Sequence, residues 1–133
     1  MSWPVRQRGP HDCGVAALAT VARVDYERAE TAFIAAGANA ARRGSTTSDI
    51  WDAASFLDLM APTGPSARLR RLPRGSDPPD DSIVKVTRPG SGNWHWVARV
   101  GGRYWDPAVG WVVRPERATS YLCLALSCKK RKP

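Results

Sequence analysis

Apolar residues recur at Val15, Leu18, Ala19 and Ala22, the i, i+3, i+4, i+7 spacing of a buried helical face. The same spacing returns over residues 26–36. Tyr26, Ala29, Phe33 and Ala36 share one side there, and Gly37 is placed to stop the helix. A third helix is predicted to begin near Thr47 or Ser48, either of which can cap it, with Ile50, Ala53, Ala54 and Leu57 facing inward. Residues 38–44 read as a loop, and Pro62, Gly64 and Pro65 end the helical half.

The second half reads as strands. Residues 67–72 form a short candidate, followed by a turn rich in proline and aspartate over 75–81. Ile83, Val84 and Val86 mark the next strand, and residues 94–100 a stronger one. Gly101 and Gly102 lie between that run and residues 103–106, and two glycines accept the positive φ angles of a two-residue hairpin turn. Residues 111–113 and 121–126 supply two further strands. Helices first and antiparallel strands afterwards predict an α+β domain.

A chain of 133 residues is long enough for one domain with its own core. The expected division is a single domain over 1–128 and a basic tail over 129–133. Formal net charge is +8, but Lys129, Lys130, Arg131 and Lys132 carry four of those charges, leaving +4 on the rest. Arg68, Arg70, Arg71 and Arg74 form a second basic group. The chain holds none of the aromatic–basic motifs of nucleic-acid binders, so binding to nucleic acid or another acidic surface through the tail is a lesser expectation. No apolar run reaches the length of a membrane helix, and residues 1–10 lack the apolar centre of a secretory signal. The default expectation is therefore cytoplasmic, although a delivered effector or a phage-particle protein fits the same features. Three cysteines, an odd number without framework spacing, do not indicate a disulfide scaffold. Cys123 is expected to pack on a strand face with Tyr121 and Ala125, and Cys128 to be exposed beside the tail.

Candidate chemistry begins at Cys13, where a polar loop gives way to the first helical stripe. A helix start presents unpaired N–H groups and a positive dipole end, which favour a thiolate. Gly14 is expected to leave room for a substrate at the sulfur. His95 lies mid-strand between Trp94 and Trp96, and alternation puts it on the opposite face from both. If Gly101 and Gly102 form the turn, Val100 pairs with Arg103, Arg99 with Tyr104 and Val97 with Asp106. Asp106 then becomes the diagonal neighbour of His95 on one face, within bridging reach. An acid so placed fixes the histidine tautomer and favours its charged form. Gln7, six residues before Cys13, carries an amide that can donate to an oxyanion. His11 reads as a surface histidine. A metal set of His11, Cys13 and His95 is the competing reading, weakened by the lack of paired-cysteine spacing. No cofactor motif is present.

The stretch Gln7-Arg8-Gly9-Pro10-His11-Asp12-Cys13-Gly14-Val15-Ala16-Ala17-Leu18 resembles the nucleophile motif of the C39 peptidases, papain-like cysteine peptidases best known for cleaving double-glycine leaders from bacteriocin precursors. Residues 94–101 resemble that family's histidine strand, and residues 104–110, with Asp106-Pro107, its aspartate segment. The likeness covers most of residues 5–112. It implies a papain-like fold, with Cys13 as nucleophile, His95 as base, Asp106 as the group orienting it and Gln7 as oxyanion donor.

The expected function is therefore hydrolysis of a peptide or isopeptide bond in a peptide or protein substrate, without a cofactor. The same machinery can hydrolyse a glutamine side-chain amide, so a glutamine deamidase or other amidase is a near alternative. The remaining alternative is a papain-like scaffold used as a binding or structural module, phage-encoded among other origins. The arginines of residues 62–81 are expected to border the cleft and favour acidic substrates. Oligomeric state is not specified by these features.

Overall fold

The computed structural model describes residues 3–37, 44–57, 69–87, 93–115 and 117–124. Among them, three helices precede an antiparallel sheet, which makes the molecule α+β. The helices are α1 (Cys13–Ala22), α2 (Tyr26–Ala35) and α3 (Thr47–Ser55). The strands are β1 (Arg70–Arg71), β2 (Ser82–Thr87), β3 (Trp94–Val100), β4 (Arg103–Asp106), β5 (Gly110–Val112) and β6 (Ala118–Cys123). They are ordered β1-β6-β2-β3-β4-β5.

Helix α1 is the centre of the packing. Every residue from Cys13 to Val21 is buried, so the helix has no polar outer face. A helix that is apolar all round belongs inside a core, and α1 lies between β3 and the other two helices. Its stripe therefore understates its burial. Helix α2 follows the expected pattern, burying Tyr26, Ala29, Ala32 and Phe33 while Gly37 adopts φ +82° beyond its end. Helix α3 is capped by Thr46 rather than by Thr47 or Ser48. The Thr46 hydroxyl accepts from Asp49 N–H, and the Asp49 carboxylate accepts from Thr46 N–H.

The sheet has two unequal faces. Trp96, Ala98, Val100, Ile83 and Leu122 join the helices in the main core. Val84, Val97, Tyr104 and Leu72 form a smaller cluster on the other side. The β3–β4 hairpin turns on Gly101 and Gly102, at φ +57° and +73°, and closes with Val100 opposite Arg103 and Arg99 opposite Tyr104. Asp80 ties its tip down, accepting Gly102 N–H at 2.8 Å.

Two strand expectations shift. The strand expected over 67–72 narrows to Arg70–Arg71 within the described residues, because Leu72 turns away after one hydrogen bond to Thr119. The last strand starts at Ala118 instead of Tyr121. The loop expected over 38–44 falls outside the described residues except for Gly44, as do Cys128, the basic tail and Pro62, Gly64 and Pro65.

Cys123 departs from its expected role as a packing cysteine: it is disulfide-bonded, through a partner outside the described residues. An odd cysteine count is compatible with one bridge and one free thiol, and Cys13 is free. No described helix is long and apolar enough to cross a membrane.

Candidate active site

Helix α1 brings Cys13 to β3. The Trp96 backbone N–H donates to Cys13 Sγ at 3.5 Å, so the sulfur meets the strand one residue from His95. Cys13 heads the helix, where first-turn N–H groups lack helical partners.

The loop leading to it is held by Asp12. This carboxylate does not cap α1 with its side chain. It folds back, accepting Arg8 N–H at 2.8 Å, Gly9 N–H at 2.9 Å and the Tyr26 hydroxyl at 2.7 Å. Only 3% exposed, Asp12 is a buried carboxylate whose bonds compensate its burial. Burial and the bond to Asp12 push the Tyr26 phenol well above its ordinary range.

On the other side, His95 Nε2 meets Asp106 Oδ1 at 2.7 Å. Cys13 lines the same pocket as the imidazole and acts on it through hydrogen bonding and charge. Both side chains are largely buried. Burial is the largest influence on His95 and disfavours its cation. The hydrogen bonds to Asp106 and Cys13, with their charges, outweigh it and raise the imidazole from 6.5 to about 9. Asp106 is itself set by the chain around it. It starts a turn with Pro107 in second position, closed by Val109 N–H to the Asp106 carbonyl at 3.1 Å. Its Oδ1 also accepts Ala108 N–H at 2.9 Å. The turn thus aims the oxygen that meets His95.

Gln7 lies in the same region. Its backbone N–H donates to Pro107 O at 3.0 Å, next in sequence to Asp106. Its amide donates one N–H to Gly9 O at 2.7 Å, while buried Oε1 has no partner among the described residues. An amide nitrogen carries two hydrogens, so one donor remains. Gln7 lines a neighbouring pocket with Arg8 and Tyr26, and not the one that Cys13 and His95 line.

A pocket of about 230 Å³ opens at the sulfur, lined among others by His11, Cys13, Ser45, Asn93, Trp94 and His95. His11 is exposed and forms part of this lining. Ser45 is the residue that sequence reasoning passed over. Its carbonyl accepts both the Trp94 and Trp96 indole N–H groups, at 3.0 and 2.8 Å, which fastens the segment before α3 to β3. Two tryptophans at i and i+2 were a legible sign of a shared strand face, but not of their common acceptor.

Ser45 also explains Gly14. A Cβ on Gly14 would fall 2.5 Å from Ser45 Oγ and 2.7 Å from Ser45 Cβ. The glycine accommodates this neighbouring segment, rather than the substrate expected there. Of the arginines expected to border the cleft, Arg71 and Arg74 instead line a separate cavity, without Cys13 or His95, and Arg68 lies outside the described residues. Among the described residues, no group of three or more His, Cys, Asp or Glu side chains is arranged to hold a metal.

No family model matches the chain, and neither a curated protein nor a solved structure matches it.

Proposed function

We propose that the protein is a thiol-dependent hydrolase of papain-like fold that cleaves a peptide or isopeptide bond. The observation that carries this reading is the set Asp106–His95–Cys13, with Asp106 on His95 Nε2 at 2.7 Å and Cys13 and His95 lining one pocket. An acid on one imidazole nitrogen fixes the tautomer and orientation of the ring, and the other nitrogen exchanges a proton with the nucleophile.

In this mechanism the thiol proton already resides on His95 as an imidazolium, and the Cys13 thiolate attacks the substrate carbonyl carbon. The resulting oxyanion takes hydrogen bonds from the Cys13 N–H and the remaining Gln7 amide N–H. Collapse breaks the C–N bond while His95 returns the proton to the leaving amine. Water then attacks the thioester, His95 accepts a water proton, and the released acid leaves the Cys13–His95 pair restored. The Trp96 N–H at the sulfur favours its anionic state throughout.

The test is the rate of Cys13 alkylation by iodoacetamide at pH 6, followed by peptide mass spectrometry. The wild type should react at least about tenfold faster than His95→Ala, because the imidazolium favours the reactive thiolate. Asp106→Asn should fall between them. Equal rates in the wild type and His95→Ala would remove the chemical basis of the proposal.

A further inference from the structure

Away from the Cys13 pocket, two loops distant in sequence meet over Tyr104 and enclose a cleft of about 720 Å³. One runs from Arg71 to Ser76 and the other contributes Arg114, Pro115 and residues 117–119, and together they bring Arg71, Arg74, Arg114 and Arg117 to its lining. We propose that this cleft binds an oligophosphate, meaning two or more directly joined phosphoryl groups, either free or carried by a nucleotide. The proposal is independent of the chemistry at Cys13.

Among the described residues, one of the four arginines is paired with a carboxylate, Arg114 with Asp77. Asp77 accepts the Tyr104 hydroxyl at 2.7 Å and the Arg114 guanidinium at 2.9 Å, and its other oxygen lies 3.9 Å from Arg99. Arg71, Arg74 and Arg117 have no ion pair among the described residues. All three are exposed, so an incoming anion can reach them.

The backbone is shaped for this arrangement. Arg117 adopts φ +58°, a left-handed conformation that is uncommon for a residue with a side chain. Next to it the β2–β6 ladder slips, pairing Lys85 with Ser120 but Val86 with Ala118. Thr119 is the extra residue, and a bulge of this kind re-aims side chains at the end of a strand. Thr119 is among the lining residues, and its hydroxyl donates to Lys85 O at 3.5 Å.

The kind of anion follows from charge density and shape. Guanidinium groups bind phosphate and carboxylate oxygens in bidentate fashion. Three guanidinium groups without an ion pair among the described residues and a fourth shared with Asp77 line one cleft, and such concentrated positive charge suits the dense negative charge of joined phosphates. Acidic side chains in an extended peptide alternate in direction, so those on one face are separated by roughly 6–7 Å. Tyr104, the aromatic ring in the lining, is 1% exposed and offers no face for stacking a base. That disfavours a single-stranded nucleic acid, which needs stacking platforms.

The test is calorimetric titration of the full chain with sodium tripolyphosphate at pH 7.5 and 0.15 M salt. Saturable binding is expected, weakened about tenfold or more by the pair Arg71→Ala/Arg74→Ala and by Arg117→Gly, in keeping with lost charge-assisted hydrogen bonds. Glycine keeps the left-handed backbone without strain, and ligand-free melting curves of each variant establish that it folds. Replacing Lys129, Lys130, Arg131 and Lys132 by alanine should leave the affinity within about twofold, as should Cys13→Ser. Equal affinity for adenosine triphosphate and tripolyphosphate would support recognition of the phosphate chain alone, and a tenfold preference for the nucleotide would identify that as the source. The proposal is overturned by no saturable binding, by binding that follows the tail, or by tighter binding of an oligonucleotide or polyglutamate of equal charge.

Discussion

Three residues around the sulfur act through geometry rather than reactivity. Asp12 gathers the 8–12 loop, Ser45 receives two indole N–H groups, and Gly14 makes room for Ser45. Gly14 sets two effects against each other. In an exposed helix, alanine in place of glycine gains up to about 1 kcal/mol. Here the added carbon would stand 2.5 Å from Ser45 Oγ in a buried contact, and overpacking costs about 1–3 kcal/mol. Gly14→Ala should therefore destabilise the protein by about 1–2 kcal/mol in urea unfolding. A gain in stability would mean that the Ser45 segment yields freely.

Among the elements, the β3–β4 hairpin determines whether His95 and Asp106 can meet. Its two-residue turn sets the register, and a slip by one residue would send Asp106 to the opposite face. Both glycines have positive φ, with nothing within 4 Å of an added Cβ. Alanine at either position would therefore pay in backbone strain alone, about 1–2 kcal/mol per residue. Gly101→Ala/Gly102→Ala should lower the unfolding free energy by about 2–4 kcal/mol. If the turn rearranges to relieve that strain, Cys13 alkylation at pH 6 should slow as it does in Asp106→Asn. Unchanged stability would show that the turn tolerates side chains and does not set the register.

At the scale of the whole molecule, the coupled site should appear in the pH dependence of stability. Folding raises His95 from 6.5 to about 9, so the folded chain holds this proton more tightly than the unfolded chain. The stabilisation from the protonated histidine is present in full below about pH 6.5 and is lost as pH rises through about 9. The melting temperature of the wild type should thus decline across that interval, and the decline should flatten in His95→Ala. Parallel curves for the two proteins would mean that His95 is not held as a cation by the fold.

Much of the fold was legible because it rests on local periodicity. The stripes of α1, α2 and α3, the Trp94–Val100 strand and the Gly101–Gly102 turn all follow from residue spacing and backbone preference. From that turn the meeting of His95 with Asp106 could be worked out before any coordinates, since a two-residue turn fixes which side chains are neighbours. The sequence by itself thus determined the element types and one half of the candidate site. Tertiary structure decided the rest: the full burial of α1, the contact of the Cys13 sulfur with the Trp96 backbone, Ser45 above Gly14, and the four arginines around one cleft. The physical reason is that these contacts join residues far apart in the chain. Periodicity reports which side of an element faces inward, but only packing selects the partner it finds there.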